Sequence, residues 1–154
     1  MTGPALAAAL LESFEGVAPK ASWGETSYFY NPGRRFANGA YFATIKLSDG
    51  PNDTASGLSR EGVWRLSFGV SKARYAALFG PLPARPAKGG IIAGDWDFTA
   101  LNRLTPHPVY GWMGWCAMLC PEQARLDQHR ALIEDAYARA RAGFEARVRK
   151  LGPA

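Results

Sequence analysis

A chain of 154 residues has the length of one ordinary domain and can bury a full hydrophobic core without disulfide or metal staples. Its hydrophobic fraction of 47% and charged fraction of 20% exclude a disordered protein, and no apolar run approaches the ~20 residues that span a bilayer. The net charge of +5 makes a polyanion such as nucleic acid a partner to consider. We expect a single cytoplasmic domain over residues 1–154, with no membrane contact.

The first half of the chain predicts one helix followed by three strands. The helix is expected over residues 4–14, with Pro4 in its first turn and Gly16 as its stop. Because no basic residue precedes its apolar segment, this segment does not fit a secretory signal. Alternating apolar residues and turn signals predict strands over residues 26–30, 41–47 and 63–70. In the third strand we expect the alternate residues from Trp64 to face a core and Arg65 to lie on a wetter face.

The second half predicts a capped helix, a long loop, two strands and a final helix. Ser71 is a good N-cap for a helix over residues 72–79, and residues 81–95 form a loop rich in proline and glycine. The remaining elements are an extended segment, a strand and a long helix, expected over residues 98–107, 112–119 and 121–150.

This order, α-β-β-β-α-β-β-α, favours an antiparallel five-stranded sheet with the helices on one face, in a two-layer α+β domain. The strand over residues 112–119 is apolar on both faces, although a two-layer sheet should have one wet face. We therefore expect either the loop over residues 81–95 or a second copy of the chain, in a homodimer, to cover its outer face.

Several short motifs accompany this order of elements. They are Gly16-Val17 after the first helix, Trp23-Gly24-Glu25 before the first strand, Phe42-Ala43-Thr44-Ile45 on the second strand, and residues 132–137 on the last helix. Together they resemble the MmcQ/YjbR-like family of small bacterial α+β domains over nearly the whole chain. Residues 106–112 look like an uncharacterised bacterial branch related to that fold. The resemblance implies a YjbR-like fold and, because members are commonly described as DNA-binding proteins without accepted catalytic residues, a non-catalytic nucleic-acid-binding domain.

The densest segment of the chain covers residues 105–116, which hold His107 between two prolines and two of the five tryptophans. Imidazole titrates near neutrality, so His107 suits a general base, a ligand or a hydrogen-bond donor. Alternatively, it anchors a strand end by hydrogen bonding to the backbone. Tyr110, Trp112 and Trp115 can stack on a base or a ring, or they can fill the core.

Two further groups of polar residues are candidates for the same site. Asn52 and Asp53, followed by threonine and serines, can bind a cation or a sugar, or they can form an Asx-turn that satisfies the loop's own backbone. The guanidinium of Arg65 can clamp a carboxylate or phosphate, with Asp53 or His107 beside it. Its alternative is a surface pair with Glu61 or Asp97, which contributes little.

Complete signatures of cofactor or metal chemistry are missing from the sequence. It has no GxGxxG, Walker or GxSxG pattern. Cys116 and Cys120, with one nearby histidine, supply too few ligands for zinc. We expect no cofactor, no metal and no assigned catalytic residue.

Three functions remain open. The first is nucleic-acid binding, with contacts expected from Arg34, Arg35, Arg85 and Lys88. The second is a small-molecule site or an unrecognised enzyme, in a pocket formed by His107, Asp53, Asn52, Arg65, Tyr110 and Trp112. The third is a structural role through self-association of the apolar sheet face.

Overall fold

The computed structural model describes residues 3–152, and these form an α+β domain on one six-stranded antiparallel sheet. In chain order the elements are α1 (Gly3–Glu12), β1 (Val17–Ser22), β2 (Glu25–Tyr30), β3 (Ala40–Lys46), β4 (Arg65–Gly69), α2 (Lys72–Phe79), β5 (Leu104–Pro106), β6 (Trp115–Leu119), α3 (Gln123–Gln128) and α4 (Arg130–Lys150). The strands lie side by side in the order β1-β2-β3-β4-β6-β5. The predicted class, an α+β domain with an antiparallel sheet, is confirmed.

The main core lies between the sheet and the helices α1 and α4. Leu66 and Phe68 of β4 are fully buried in the same apolar cluster as Leu11 of α1 and Ile133 of α4. Each such side chain contributes about 1.5–3 kcal/mol when it is taken out of water. The alternation predicted for β4 is therefore correct on this face, and it leaves Arg65 on the opposite face.

The predicted count of five strands is wrong because β1 precedes the expected first strand. β1 lies at the edge of the sheet, and four of its six residues are exposed, so it has no apolar pattern to reveal it. Trp23 and Gly24 join it to β2, with φ values of 31° and 73°. Positive φ at both central residues is the geometry of a type I′ hairpin turn, which explains the glycine.

The other predicted boundaries of helices and strands agree only in part with the structure. The helix α2 has its expected bounds, and the Ser71 hydroxyl accepts a backbone N–H of its first turn at 3.1 Å. The long final helix is interrupted at His129, which separates α3 from α4. The strand expected from residue 112 begins only at Trp115, because Gly111–Met113 form a 3₁₀ turn that ends at Gly114 with φ 90°.

The outer face of β6 is covered by the chain itself. Ala117 and Leu119 are buried on this face, and the loops 47–64 and 80–103 carry buried apolar residues outside the main core, namely Leu58, Ile92 and Phe98. This face is therefore buried within a single chain, and its cover by the loop 81–95 stays a prediction. Burial of this face needs no second subunit, and the homodimer stays a prediction.

The described residues hold neither a membrane-crossing helix nor a clustered set of metal ligands. Within residues 3–152 no helix combines the length and the hydropathy that a bilayer requires. In the same range, no three or more histidine, cysteine or acidic side chains are grouped closely enough to hold a metal ion. Cys116 is buried, Cys120 is half-buried, and both are free thiols.

Candidate functional site

A cavity of about 520 Å³ opens on the face of the sheet away from α1 and α4. Strands β2, β3 and β4 form its floor, and the loops around residues 50–53 and 107–115 form its walls. Its volume falls within the range of about 300–1,000 Å³ that is typical of small-molecule sites. The lining residues are Glu25, Ser27, Phe29, Tyr41, Thr44, Lys46, Gly50, Pro51, Asn52, Asp53, Arg65, His107, Tyr110, Met113 and Trp115.

Arg65 and Asp53 form a bidentate ion pair at this cavity. The guanidinium of Arg65 donates to both carboxylate oxygens of Asp53, at 2.8 and 2.5 Å, and Nη1 also donates to the Ser56 hydroxyl at 3.0 Å. Arg65 is only 1% exposed, so its face of β4 is polar but dry, and the prediction of a wetter face is wrong. Arg65 points toward Asp53, as one alternative expected, and does not form a surface pair; because Asp53 occupies both Nη groups, the predicted clamp on a ligand anion stays a prediction.

Asp53 is held in its ionised form. Burial acts to raise its pKa, but the hydrogen bonds and the positive charge of Arg65 outweigh burial and leave the pKa below its ordinary value. Both carboxylate oxygens already accept from Arg65. A carboxylate in this state is a poor proton acceptor for His107, and the alternative in which this loop binds a cation is left without its main ligand.

The loop that carries Asp53 is folded by its own hydrogen bonds. Gly50 and Asp53 exchange backbone hydrogen bonds at 3.1 and 3.2 Å, which closes a two-residue turn at Pro51 and Asn52. Asp49 accepts from the backbone N–H of Leu58 at 2.9 Å. The backbone hydrogen bond expected from the side chains of Asn52 and Asp53 is therefore made by Asp49, and the carboxylate of Asp53 pairs with Arg65 instead.

His107 contributes a neutral, oriented imidazole. Its Nδ1 accepts from the backbone N–H groups of Val109 and Tyr110, both at 3.1 Å, so the predicted anchoring role is present. The side chain is 2% exposed, and burial, followed by the positive charge of Arg65, lowers its pKa from 6.5 to about 3. With Nδ1 occupied as an acceptor, the proton of the neutral ring resides on Nε2. No residue within the described range accepts from Nε2, so His107 can offer this N–H to a ligand in the cavity it lines.

Aromatic side chains form one wall of the cavity. The rings of Phe29 and Tyr41 lie 5.3 Å apart, and those of Tyr41 and Trp115 lie 4.8 Å apart, in a row across the sheet. Gly69 permits this row, because an added Cβ would lie 2.8 Å from Nε1 of Trp115. Tyr110 stands beside His107, with 5.0 Å between ring centroids. The row offers an apolar surface against which a flat ring can pack.

A β-bulge turns Tyr41 toward this wall. The pairing of β2 with β3 skips Phe42, so Phe42 and Ala43 both face the helices. Phe42 is 1% exposed in the core, whereas Tyr41 is 43% exposed at the cavity. Simple alternation along the strand predicted over residues 41–47 places Phe42 on one face with Thr44 and Lys46, and it is wrong at Phe42 because the bulge inserts one residue.

Five of the six residues predicted to bind a ligand line this cavity, namely Asn52, Asp53, Arg65, His107 and Tyr110. The sixth, Trp112, lies in a neighbouring groove, where the guanidinium of Arg85 lies over its ring at 4.7 Å from the ring centroid. Sequence reasoning missed the contributions of β2 and β3, including the ion pair between Glu25 and Lys46 at 3.3 Å. Their one signal is the alternation of polar residues along these strands.

The four residues predicted to contact nucleic acid lie in two separate places. Arg85 and Lys88 line the groove beside Trp112. Arg34 lines a different cleft, and Arg35 follows it as an exposed neighbour. The structure therefore does not join them into one cluster.

Comparison with known proteins gives a family but no activity. The sequence profile of DUF6194, described as a family of unknown function, matches residues 1–149. No curated protein and no solved structure matches the chain significantly. The comparisons do not link the chain to MmcQ/YjbR-like proteins, and that resemblance stays a prediction.

Proposed function

This chain belongs to DUF6194, a family of unknown function, and we propose that its cavity binds a small ligand through an uncharged ring with hydrogen-bonding edges, such as a nucleobase or a sugar. The observation that carries the proposal is the Nε2–H of the buried His107, which lines a cavity with an aromatic wall and meets no acceptor in the described part of the chain. Within the described residues Nε2 is not one of the fully enclosed polar atoms that lack a partner, so it reaches the cavity, where water or a ligand can accept its hydrogen bond.

The balance of charge favours an uncharged group in this cavity. Glu25 is paired with Lys46, and Asp53 is paired with Arg65, so the cavity carries two negative and two positive groups. His107 adds no charge, because its lowered pKa keeps the imidazole neutral near pH 7. A charged ring buried here would lack a free counterion, which is costly in a partly dry site.

The protonation states favour binding over proton transfer. A general base or acid works best with a pKa near the operating pH. Asp53 has a lowered pKa, and the pKa of His107 lies at about 3, so neither group is suited to exchange a proton near pH 7. His107 is therefore a hydrogen-bond donor in this proposal, and the protein acts as a binding domain.

The experiment is a titration of the protein with unphosphorylated nucleosides and monosaccharides, in which binding is measured by calorimetry and tryptophan fluorescence. We expect saturable binding of at least one class, and an affinity about tenfold weaker in Tyr110→Ala, because stacking of a ring contributes about 1–3 kcal/mol. Trp23→Ala is the matched control, since Trp23 is 99% exposed at the hairpin turn and does not line the cavity. Absence of saturable binding across both classes, or an equally weakened affinity in the two variants, would contradict the proposal.

Nucleic-acid binding is a second proposal, supported by the net charge of +5 and by exposed Arg34, Arg35, Arg85 and Lys88. A YjbR-like identity, a bacterial and cytoplasmic setting and a homodimer accompany it as further proposals from the sequence. Dispersal of the four cations over two sites gives the small-molecule role the stronger support.

A further inference from the structure

A second groove, of about 290 Å³, adjoins the cavity. We propose that it holds a phosphate group on the same ligand whose ring occupies the cavity, so that the ligand is a phosphorylated ring compound. This inference rests on the proposed function. The groove is lined by Asn52, Arg85, Pro86, Ala87, Lys88, Gly89, Gly90, Val109, Tyr110 and Trp112.

The charge of the groove is unbalanced, in contrast to that of the cavity. Arg85 and Lys88 contribute two positive charges, and no carboxylate lines the groove. Between residues 3 and 152, no acidic side chain forms an ion pair with either of them. Two unpaired cations on one concave surface match a phosphate monoester, which carries about −1.5 to −2 at pH 7.

Arg85 is held in a suitable position for this role. Its guanidinium lies over the Trp112 ring, 4.7 Å from the centroid, and this contact directs the planar group without using its N–H donors. A guanidinium oriented in this way can donate two parallel hydrogen bonds to phosphate oxygens. Lys88 adds a second, more flexible charge to the same groove.

The groove is built by a loop that the chain fixes in place. Gly90 donates to the carbonyl of Ala87 at 2.8 Å, which closes a turn after Pro86. Ile92 donates to the carbonyl of Pro108 at 2.9 Å, which ties the loop to the segment that carries His107. Cavity and groove therefore share one framework.

The two sites are continuous at Asn52 and Tyr110, which line both of them. A ring packed beside Tyr110 in the neutral cavity places its substituents next to the positive groove. This arrangement separates the uncharged and the charged parts of one ligand, so that neither part is buried against an unsuitable partner.

The first test is a titration with inorganic phosphate, in which binding is measured from backbone amide shifts in ¹⁵N–¹H spectra. Sodium chloride at matched ionic strength is the reference. We expect saturable shifts at Lys88, Gly89 and Gly90, and their disappearance in the double variant Arg85→Gln/Lys88→Gln. The double variant Arg34→Gln/Arg35→Gln removes the same charge from another exposed site and should keep the shifts. Shifts absent from the groove, or equally reduced in both variants, would overturn the phosphate site.

The second test compares each nucleoside with its 5′-monophosphate and each monosaccharide with its 6-phosphate. We expect at least one phosphorylated member to bind about ten times more tightly than its parent, and this gain to disappear in Arg85→Gln/Lys88→Gln. Phosphate shifts in the groove without such a gain would overturn the link between the sites. His107→Asn separates this inference from the proposed function, because it should weaken binding of the unphosphorylated ring and leave the phosphate shifts unchanged.

Discussion

His107 performs two tasks with its two nitrogens, and conservative substitutions can separate them. Asparagine places an acceptor near the position of Nδ1, so His107→Asn should keep the bonds from Val109 and Tyr110 but lose the donor to the cavity. Glutamine reaches the position of Nε2 and loses the Nδ1 acceptor. We expect His107→Asn to weaken ligand binding about tenfold, because one hydrogen bond contributes about 1 kcal/mol or somewhat more. His107→Gln should bind the ligand more tightly than His107→Asn does, but its free energy of unfolding should be lower than that of the unchanged protein by about 1–3 kcal/mol, because two buried N–H groups lose their partner. Urea unfolding and calorimetry on both variants distinguish the two tasks. Tighter binding by His107→Asn together with a larger loss of stability in that variant would contradict the assigned tautomer.

The lowered pKa of His107 predicts a specific decrease in stability in mild acid. In the unfolded chain the imidazole gains its proton near pH 6.5, whereas in the folded protein burial and Arg65 delay protonation to about pH 3. Between these values the unfolded state binds more protons, so the free energy of unfolding falls as the pH falls. From pH 7 to pH 4.5 the fall due to this residue should reach about 2–3 kcal/mol. His107→Asn should lack this part of the fall, while His129, whose pKa is also lowered, titrates in both proteins. Equal pH profiles of the two proteins in urea unfolding would show that His107 is not buried in neutral form.

Within the elements, the bulge in β3 assigns opposite roles to two adjacent aromatic residues. Phe42 lies in the core against Phe14 and Tyr137, so Phe42→Ala should reduce the free energy of unfolding by about 3–5 kcal/mol. Tyr41 lies at the cavity, so Tyr41→Ala should cost only about 1 kcal/mol in stability and weaken ligand binding instead. Guanidinium unfolding and ligand titration measure the two effects. A larger decrease in stability from Tyr41→Ala than from Phe42→Ala would restore the simple alternation along the strand.

The bulge also shows where sequence patterns stop being informative. Strands β3 and β4 and the helix α2 were predictable because their apolar residues repeat at the period of the element and their ends carry turn or capping residues. β1 was not, since an exposed edge strand with Pro19 and Lys20 has no buried face to mark it. The insertion of one residue at Phe42 depends on pairing with β2, and a local pattern contains no information about that pairing.

Across the molecule, the site residues that are unusual in their local sequence were predictable, and those whose place depends on pairing between distant strands were not. Arg65 in an otherwise apolar strand and His107 between prolines are local anomalies, and each indicates a special environment. Trp115 gave no such signal, because an aromatic residue at the start of an apolar strand is equally suited to a core. Its place at the cavity depends on Gly69, which lies on the neighbouring strand β4, far earlier in the chain, and leaves room for the indole.

The distribution of charge over the whole molecule provides a test between the two proposed functions. A nucleic-acid-binding surface concentrates cations, whereas here Arg34 and Arg35 lie apart from Arg85 and Lys88, and α4 carries acids among its arginines. We therefore expect no mobility shift of single- or double-stranded DNA with micromolar protein at about 150 mM salt. We expect at most weak binding at about 20 mM salt, because salt ions compete with the protein for the phosphates and the affinity falls steeply as their concentration rises. Substitution of Arg34 and Arg35 by glutamate should then reduce the low-salt binding as much as substitution of Arg85 and Lys88 does, since both pairs act only through net charge. A shift that persists at the higher salt concentration and is abolished by reversal of only one pair would instead identify a specific nucleic-acid site and favour the second function.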